Sequence, residues 1–122
     1  MGSEGRGARR TYRGPGGAPL REAVYAVVMT IPVGMVTTYS SIARLLGTTP
    51  RAVARTLASN RSPLVVPCHR VVKSSLELGG YRYGGERVKR RLLELEGVRI
   101  VDGRVSRDHV ILVDEELGFP PG

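Results

Sequence analysis

A mainly α-helical domain with one small β-hairpin, arranged as a winged helix-turn-helix, is the fold class the sequence predicts. Three observations point to it. Three short apolar-periodic segments follow one another between Leu20 and Ala58, the second and third separated by only a tight Gly-Thr-Thr-Pro turn. A fourth such segment, Glu86 to Glu96, runs into a β-prone stretch that turns at Asp102-Gly103. The chain has 122 residues, 41% hydrophobic and 25% charged, which suits one globular domain with its own core.

Each element has a local cause. Residues 1–19 are Gly-, Pro- and Arg-rich without apolar periodicity, and are expected to be a flexible tail. From Leu20, Val24, Val27, Val28 and Ile31 share a helical face until Pro32-Val33-Gly34 ends the run. Val36-Thr37-Thr38 is a β-like link. Tyr39 to Leu46 is a second helix with Ile42, Leu45 and Leu46 inward and Gly47 as its stop. Thr49 caps a third helix, with Pro50 at its first position, running to about Ala58. In that helix Val53 and Leu57 share one face and Arg51 and Arg55 another, while Ala52, Ala54 and Ala58 are small enough for a close backbone approach. The segment fits a DNA-reading helix-turn-helix or an ordinary helical hairpin. Asn60 to Val66 is a loop leading to Pro67-Cys68-His69-Arg70-Val71-Val72, and Gly79 to Gly85 a glycine-rich loop. The fourth helix, Glu86 to Glu96, carries Val88, Leu92, Leu93 and Leu95, and Val98 to Val105 is the hairpin. The domain is expected to span 20–105. Residues 106–122 form a C-terminal extension, with a strand at Val110 to Val113 and a Pro-Gly tail.

The composition excludes several classes. There is no run of the ~20 apolar residues a membrane span needs, and no apolar stretch at the start to serve as a signal peptide. One Cys allows no internal disulfide, and one Cys with two His is too few for a conventional zinc site. The charge is the positive signal: 19 basic against 11 acidic residues, a net +8, all but Lys73 and Lys89 of the basic ones being Arg. Between Glu22 and Glu77 there is no acid, while Arg44, Arg51, Arg55, Arg61, Arg70 and Lys73 fall there. Such a one-signed stretch fits a polyanion-binding face. It also fits a basic surface of thermophile type, as does the absence of Gln and the single Asn, Asn60.

Cys68 is the residue with the most chemistry. A lone Cys is ordinarily a small buried hydrophobe. Here His69 is adjacent, Arg70 follows, and no acid lies nearby, so positive potential and a base favour the thiolate, which is the nucleophile.

The six residues Pro67-Cys68-His69-Arg70-Val71-Val72 resemble the active-site motif of the O6-alkylguanine-DNA alkyltransferases, the methylated-DNA–protein-cysteine methyltransferases. Tyr39, Arg51, Asn60, Gly80-Tyr81-Arg82-Tyr83-Gly84, Leu92-Leu93 and Glu96-Gly97 follow the same family's order. The resemblance covers roughly Leu20 to Val105, the family's C-terminal DNA-binding and catalytic domain; the larger α/β N-terminal domain common there has no counterpart. It implies that Cys68 accepts the alkyl group from guanine O6, with His69 as base through a water and Glu96 orienting His69. It further implies that Asn60 braces the loop and that Tyr39 hydrogen-bonds guanine N3. Arg51 would intercalate in place of the flipped nucleotide, beside Ala52, Ala54 and Arg55 at the DNA. Val71, Tyr81 and Arg82 would form the base pocket, with Tyr83 an alternative to Tyr81. Taken singly, Glu96 is a helix-end carboxylate, Tyr39 a half-buried aromatic, Asn60 a turn residue and Arg51 a phosphate binder; His109, Tyr12 and Tyr25 match nothing. The implied partner is double-stranded DNA containing O6-alkylguanine, bound by an intracellular, nucleoid-associated monomer with no cofactor. Two other readings compete: a non-catalytic, alkyltransferase-like lesion sensor, which would lack the acceptor Cys, and a plain winged-helix regulator with a structural Cys.

Overall fold

The computed structural model describes residues 17–118. The tail expected over 1–19 therefore lies outside the described residues apart from its last three, as do Tyr12 and the final Pro-Gly residues.

Helix α1 (Leu20–Val28) buries Ala23, Val24 and Val28. It ends sooner than the periodicity suggests: Ile31 reaches the core from a turn, with its N–H bonded to the Val28 carbonyl. Strand β1 (Thr37–Thr38) leads directly into α2 (Tyr39–Leu46). The Thr38 hydroxyl accepts the Ser41 N–H at the start of α2, and Gly47 closes the helix at φ 73°, in the left-handed region. Helix α3 (Pro50–Ala58) begins in the same way, with Thr49 accepting the Ala52 N–H and Pro50 in the first turn. Both helices fall where their caps place them.

A single 3₁₀ turn (Cys68–Arg70) follows, then β2 (Val71–Val72), which pairs in parallel with β1: Thr37 opposite Val71 and Thr38 opposite Val72. This pairing ties the chain entering Tyr39 to the chain leaving Cys68. Side chains alternate along a strand, so Val71 enters a core cluster with α1, α2 and α3 while Val72 enters a second one with Val36, Leu78, Leu93, Val98 and Val105.

Helix α4 (Gly85–Leu95) presents an inner face different from the one its apolar residues suggest. Leu93 is buried, but Val88 and Leu95 are exposed, and the fully buried residue one turn before Leu93 is Lys89. Gly84 precedes α4 at φ 116°, and a Cβ there would collide with Val88, so glycine is required on both counts. The hairpin forms as β3 (Ile100–Val101) and β4 (Arg104–Val105), antiparallel, with Asp102 and Gly103 both at positive φ as a type I′ turn demands.

The expected strand from Val110 to Val113 is not formed. Val110 makes only an isolated parallel bridge to Val36, and Val113 instead opens α5 (Val113–Glu116). Val113 is buried in the first core cluster, and the extension packs into the body. His109 donates from Nδ1 to the Gly34 carbonyl, and Arg44 of α2 pairs with Asp114 at 2.8 Å.

Candidate active site

The loop 60–67 delivers Cys68 to the floor of a pocket of about 570 Å³. Its lining is Tyr39 from α2; Ala54, Leu57 and Ala58 from α3; Cys68; and Gly80, Tyr81 and Arg82 from the glycine-rich loop. That size and mostly apolar lining suit a small planar ligand.

Asn60 is the hub of the loop. Its side-chain N–H₂ donates to the Val66 carbonyl at 3.0 Å and to the Cys68 sulfur at 3.4 Å, while its Oδ1 accepts the Ser62 N–H. The Tyr83 hydroxyl donates to the Asn60 backbone carbonyl. Asn60 thereby holds the sulfur and the loop that carries it in one geometry. Tyr81 and Tyr83 thus divide the roles left open between them: Tyr81 lines the pocket, and Tyr83 holds Asn60 from behind.

The second group lies on the other side of Cys68. His69 is fully buried, and its Nε2 bonds Glu96 Oε2 at 3.0 Å. Its Nδ1 has no hydrogen-bond partner within the protein. Glu96 is also gripped by Arg70 through two bonds of 2.9 and 2.8 Å, and Arg70 donates a third to the Ile31 carbonyl. Arg70 therefore spends its charge on Glu96, which corrects the expectation that it raises the potential at sulfur. Burial lowers the His69 pKa, outweighing the Glu96 hydrogen bond and charge that raise it, so the imidazole is neutral near pH 7. Burial works against the Glu96 charge, but the hydrogen bonds from Arg70 and His69 win and hold its pKa below the ordinary value.

The positive charge near sulfur comes from Lys89, which the sequence reading passed over. Its Nζ donates to the Tyr39 hydroxyl at 3.4 Å and to the Gly80 carbonyl at 3.2 Å, and lies 5.6 Å from the Tyr39 ring centre. Burial pushes its pKa down to about 8, against the opposing pull of Cys68 and Glu86. Burial, with the Cys68 charge, pushes Tyr39 up to about 12, so its phenol stays a proton donor. One signal could have found Lys89: it stands four residues before Leu93, on the stripe that also carries Leu92 and Glu96.

The remaining residues divide. Tyr81 and Arg82 are pocket residues, and the Arg82 guanidinium reaches across to the Ala58 carbonyl at 3.2 Å and lies over the Tyr83 ring. Ala54 lines the pocket. Arg51, Ala52 and Arg55 do not: Arg51 and Arg55 are exposed on α3, with Arg51 one turn before Ala54. Val71 is not in the lining either. Its side chain is in the core and its backbone faces Thr37.

These features define a class: a small α-rich domain that holds a buried cysteine against a pocket of about 570 Å³, beside a helix whose outer face carries Arg51 and Arg55. The chain belongs to the family described as 6-O-methylguanine DNA methyltransferase, DNA binding domain, whose pattern it matches over residues 19–98. It is 51% identical over 82 residues to the methylated-DNA–protein-cysteine methyltransferase of Saccharolobus islandicus, a match covering 67% of this chain and 53% of that protein. The chain spans about half the length of the curated relatives it matches. Among solved structures it resembles the Mycobacterium tuberculosis OGT in complex with DNA, at 40% identity and TM-score 0.60, over 66% of this chain and 50% of that one. It also resembles Schizosaccharomyces pombe Atl1 in complex with damaged DNA containing O6-carboxymethylguanine, at 30% identity and TM-score 0.61, over 83% of this chain and 94% of that one. No helix among the described residues is long and apolar enough to cross a membrane.

Proposed function

We propose that this chain removes alkyl groups from O6-alkylguanine in DNA by transferring them, once per molecule, to Cys68. The observation that carries this reading is convergence: Asn60 on the sulfur, Tyr39 on one wall with Lys89 buried behind it, and Tyr81 and Arg82 on another, around one pocket that borders α3. In the transfer the Cys68 thiolate attacks the alkyl carbon, the carbon–O6 bond breaks, and its electron pair passes to the guanine. His69, neutral and oriented by Glu96, is suited to take the thiol proton through a water. Tyr39, polarised by Lys89, donates toward N3 and stabilises the charge gathering on the leaving base. The Arg82 backbone N–H serves O6. Val71 could contribute only its backbone carbonyl. A thioether is not readily reversed, so no turnover follows.

On this reading α2 and α3 are the helix-turn-helix and β3–β4 the wing. The alanines of α3 let it lie close in the minor groove, Arg55 meets phosphate, and Arg51 fills the gap left by the extruded nucleotide. Flipping costs roughly a few kcal/mol, less for a poorly paired alkylated guanine.

A lesion-sensing role is the second reading, favoured by the match covering most of Atl1. Cys68 separates the two. Intact-mass measurement after incubation with duplex carrying O6-methylguanine tests it: one added methyl group supports transfer, and an unchanged mass with retained lesion binding supports sensing.

A further inference from the structure

The glycine-rich loop supplies one wall of the Cys68 pocket through Gly80, Tyr81 and Arg82. Little in its backbone fixes that wall: residues 78–81 have no regular structure, and Gly79, Gly84 and Gly85 all stand at positive φ. Side-chain ties hold it instead. Lys89 Nζ donates to the Gly80 carbonyl and the Arg82 guanidinium to the Ala58 carbonyl, each at 3.2 Å, and the Tyr83 hydroxyl donates to the Asn60 backbone carbonyl. Of these ties, the one from Tyr83 ends on the loop that carries Cys68. We propose that Tyr83 is a positioning residue for alkyl transfer: acting through Asn60, its hydroxyl fastens the Cys68 loop to the wall that receives the base, so that sulfur and base are held in one register. It rests on the reading that Cys68 takes an alkyl group from a base in this pocket.

The bonds of Asn60 show what the tie adds. Its backbone N–H donates to the Leu57 carbonyl, its side-chain N–H₂ to the Val66 carbonyl and the Cys68 sulfur, and its Oδ1 accepts the Ser62 N–H. Those partners lie within eight residues of it along the chain, whereas Tyr83 lies 23 residues away. The Tyr83 bond is therefore the one that joins this local knot to the far wall of the pocket. Asn60 is 1% exposed, so water does not readily replace a bond lost at its carbonyl.

The ring of Tyr83 is mounted for the task. It stands edge-on to the Tyr81 ring at 6.0 Å between centres, and the Arg82 guanidinium lies 5.6 Å from its centre. Tyr81 in turn stands edge-on to His69 at 6.5 Å. Neighbours that hold the ring also aim its hydroxyl. Tyr83→Phe removes the hydroxyl and keeps these ring contacts, so the variant isolates the tie and keeps the fold.

The test is single-turnover transfer from duplex carrying O6-methylguanine, measured over a range of duplex concentrations, together with amide hydrogen exchange of the free protein. Tyr83→Phe should lower the limiting transfer rate about tenfold, the factor that loss of one hydrogen bond supports, and leave the half-saturating duplex concentration unchanged. Exchange at the Ser62, Val66 and Cys68 amides should quicken while the α2 amides keep their protection. Tyr25→Phe, the same deletion at a half-buried tyrosine without a side-chain hydrogen bond among the described residues, should change neither readout. A wild-type limiting rate in Tyr83→Phe, a change confined to half-saturation, or exchange that quickens in α2 as much as in the loop would overturn the positioning role. A wild type that transfers no methyl group would instead defeat the transfer reading itself, and the exchange result would then decide alone whether Tyr83 holds the Cys68 loop.

Discussion

The two sides of Cys68 are built on opposite terms. On one side His69, Glu96 and Arg70 form a closed set: buried or nearly so, bonded to each other, with one ring nitrogen left over. On the other side the α3 face is open, with Arg51 and Arg55 exposed and given no ion pair among the described residues. The closed side satisfies its charges within the protein, because an unpaired buried charge is costly. The open side leaves its charges for an outside partner. A sulfur held in one geometry beside an open basic face needs both.

The comparison breaks most sharply at the sulfur. Cys68→Ala should abolish alkyl transfer while lesion binding persists, since docking rests on α3, Tyr39 and the basic surface; loss of both in an electrophoretic shift assay would show that sulfur also serves binding.

The closed side can be opened by Glu96→Ala. This strands Arg70 and His69 together, and the folded state should lose about 2–4 kcal/mol in denaturant titration, with slower transfer. Its pH signature has a definite sign. The folded Glu96 pKa lies below its ordinary value, so its stabilisation is complete above about pH 4.3 and is lost as pH falls through the folded value. A variant showing the same acid unfolding as wild type would contradict the pairing.

Lys89 gives a signature of the same sign in an alkaline window. Its folded pKa of about 8 lies below the ordinary Lys value, so between pH 8 and about 10.4 the unfolded chain holds more protons. Stability of the wild type relative to Lys89→Met should therefore rise through that window, and the wild-type transfer rate should fall above about pH 8, a limb that Lys89→Met lacks. Identical pH profiles would remove Lys89 from the chemistry.

The open side carries the smallest effects. Arg51→Ala should slow repair of duplex more than of single strands, because only the duplex leaves a gap to fill; equal losses would remove the intercalating role. Arg55→Ala should lower the salt slope of binding by about 0.9 with little change in the transfer step.

How far the sequence disclosed this arrangement depended on range. Helices α2 and α3 were legible to the residue because Thr38, Gly47, Thr49 and Pro50 act within one turn. The β1–β2 pairing was not, since it joins two-residue strands from distant parts of the chain whose alternation is too short to show a period. The inner face of α4 was not legible, because a lysine occupies an inward position while Val88 and Leu95 stay exposed. Around Cys68 the motif named Asn60, His69 and Glu96, and the structure brings each into contact as their spacing could not require. Arg70 was legible as a charge but not as the partner of Glu96, which lies 26 residues away.

The most direct test of the central reading is a titration of the protein with excess duplex carrying labelled O6-methylguanine, followed by peptide mapping. One methyl group per chain, found only on Cys68 with no further release from DNA, is the predicted result. Methyl loss beyond one equivalent, or repaired DNA without label on Cys68, would contradict it.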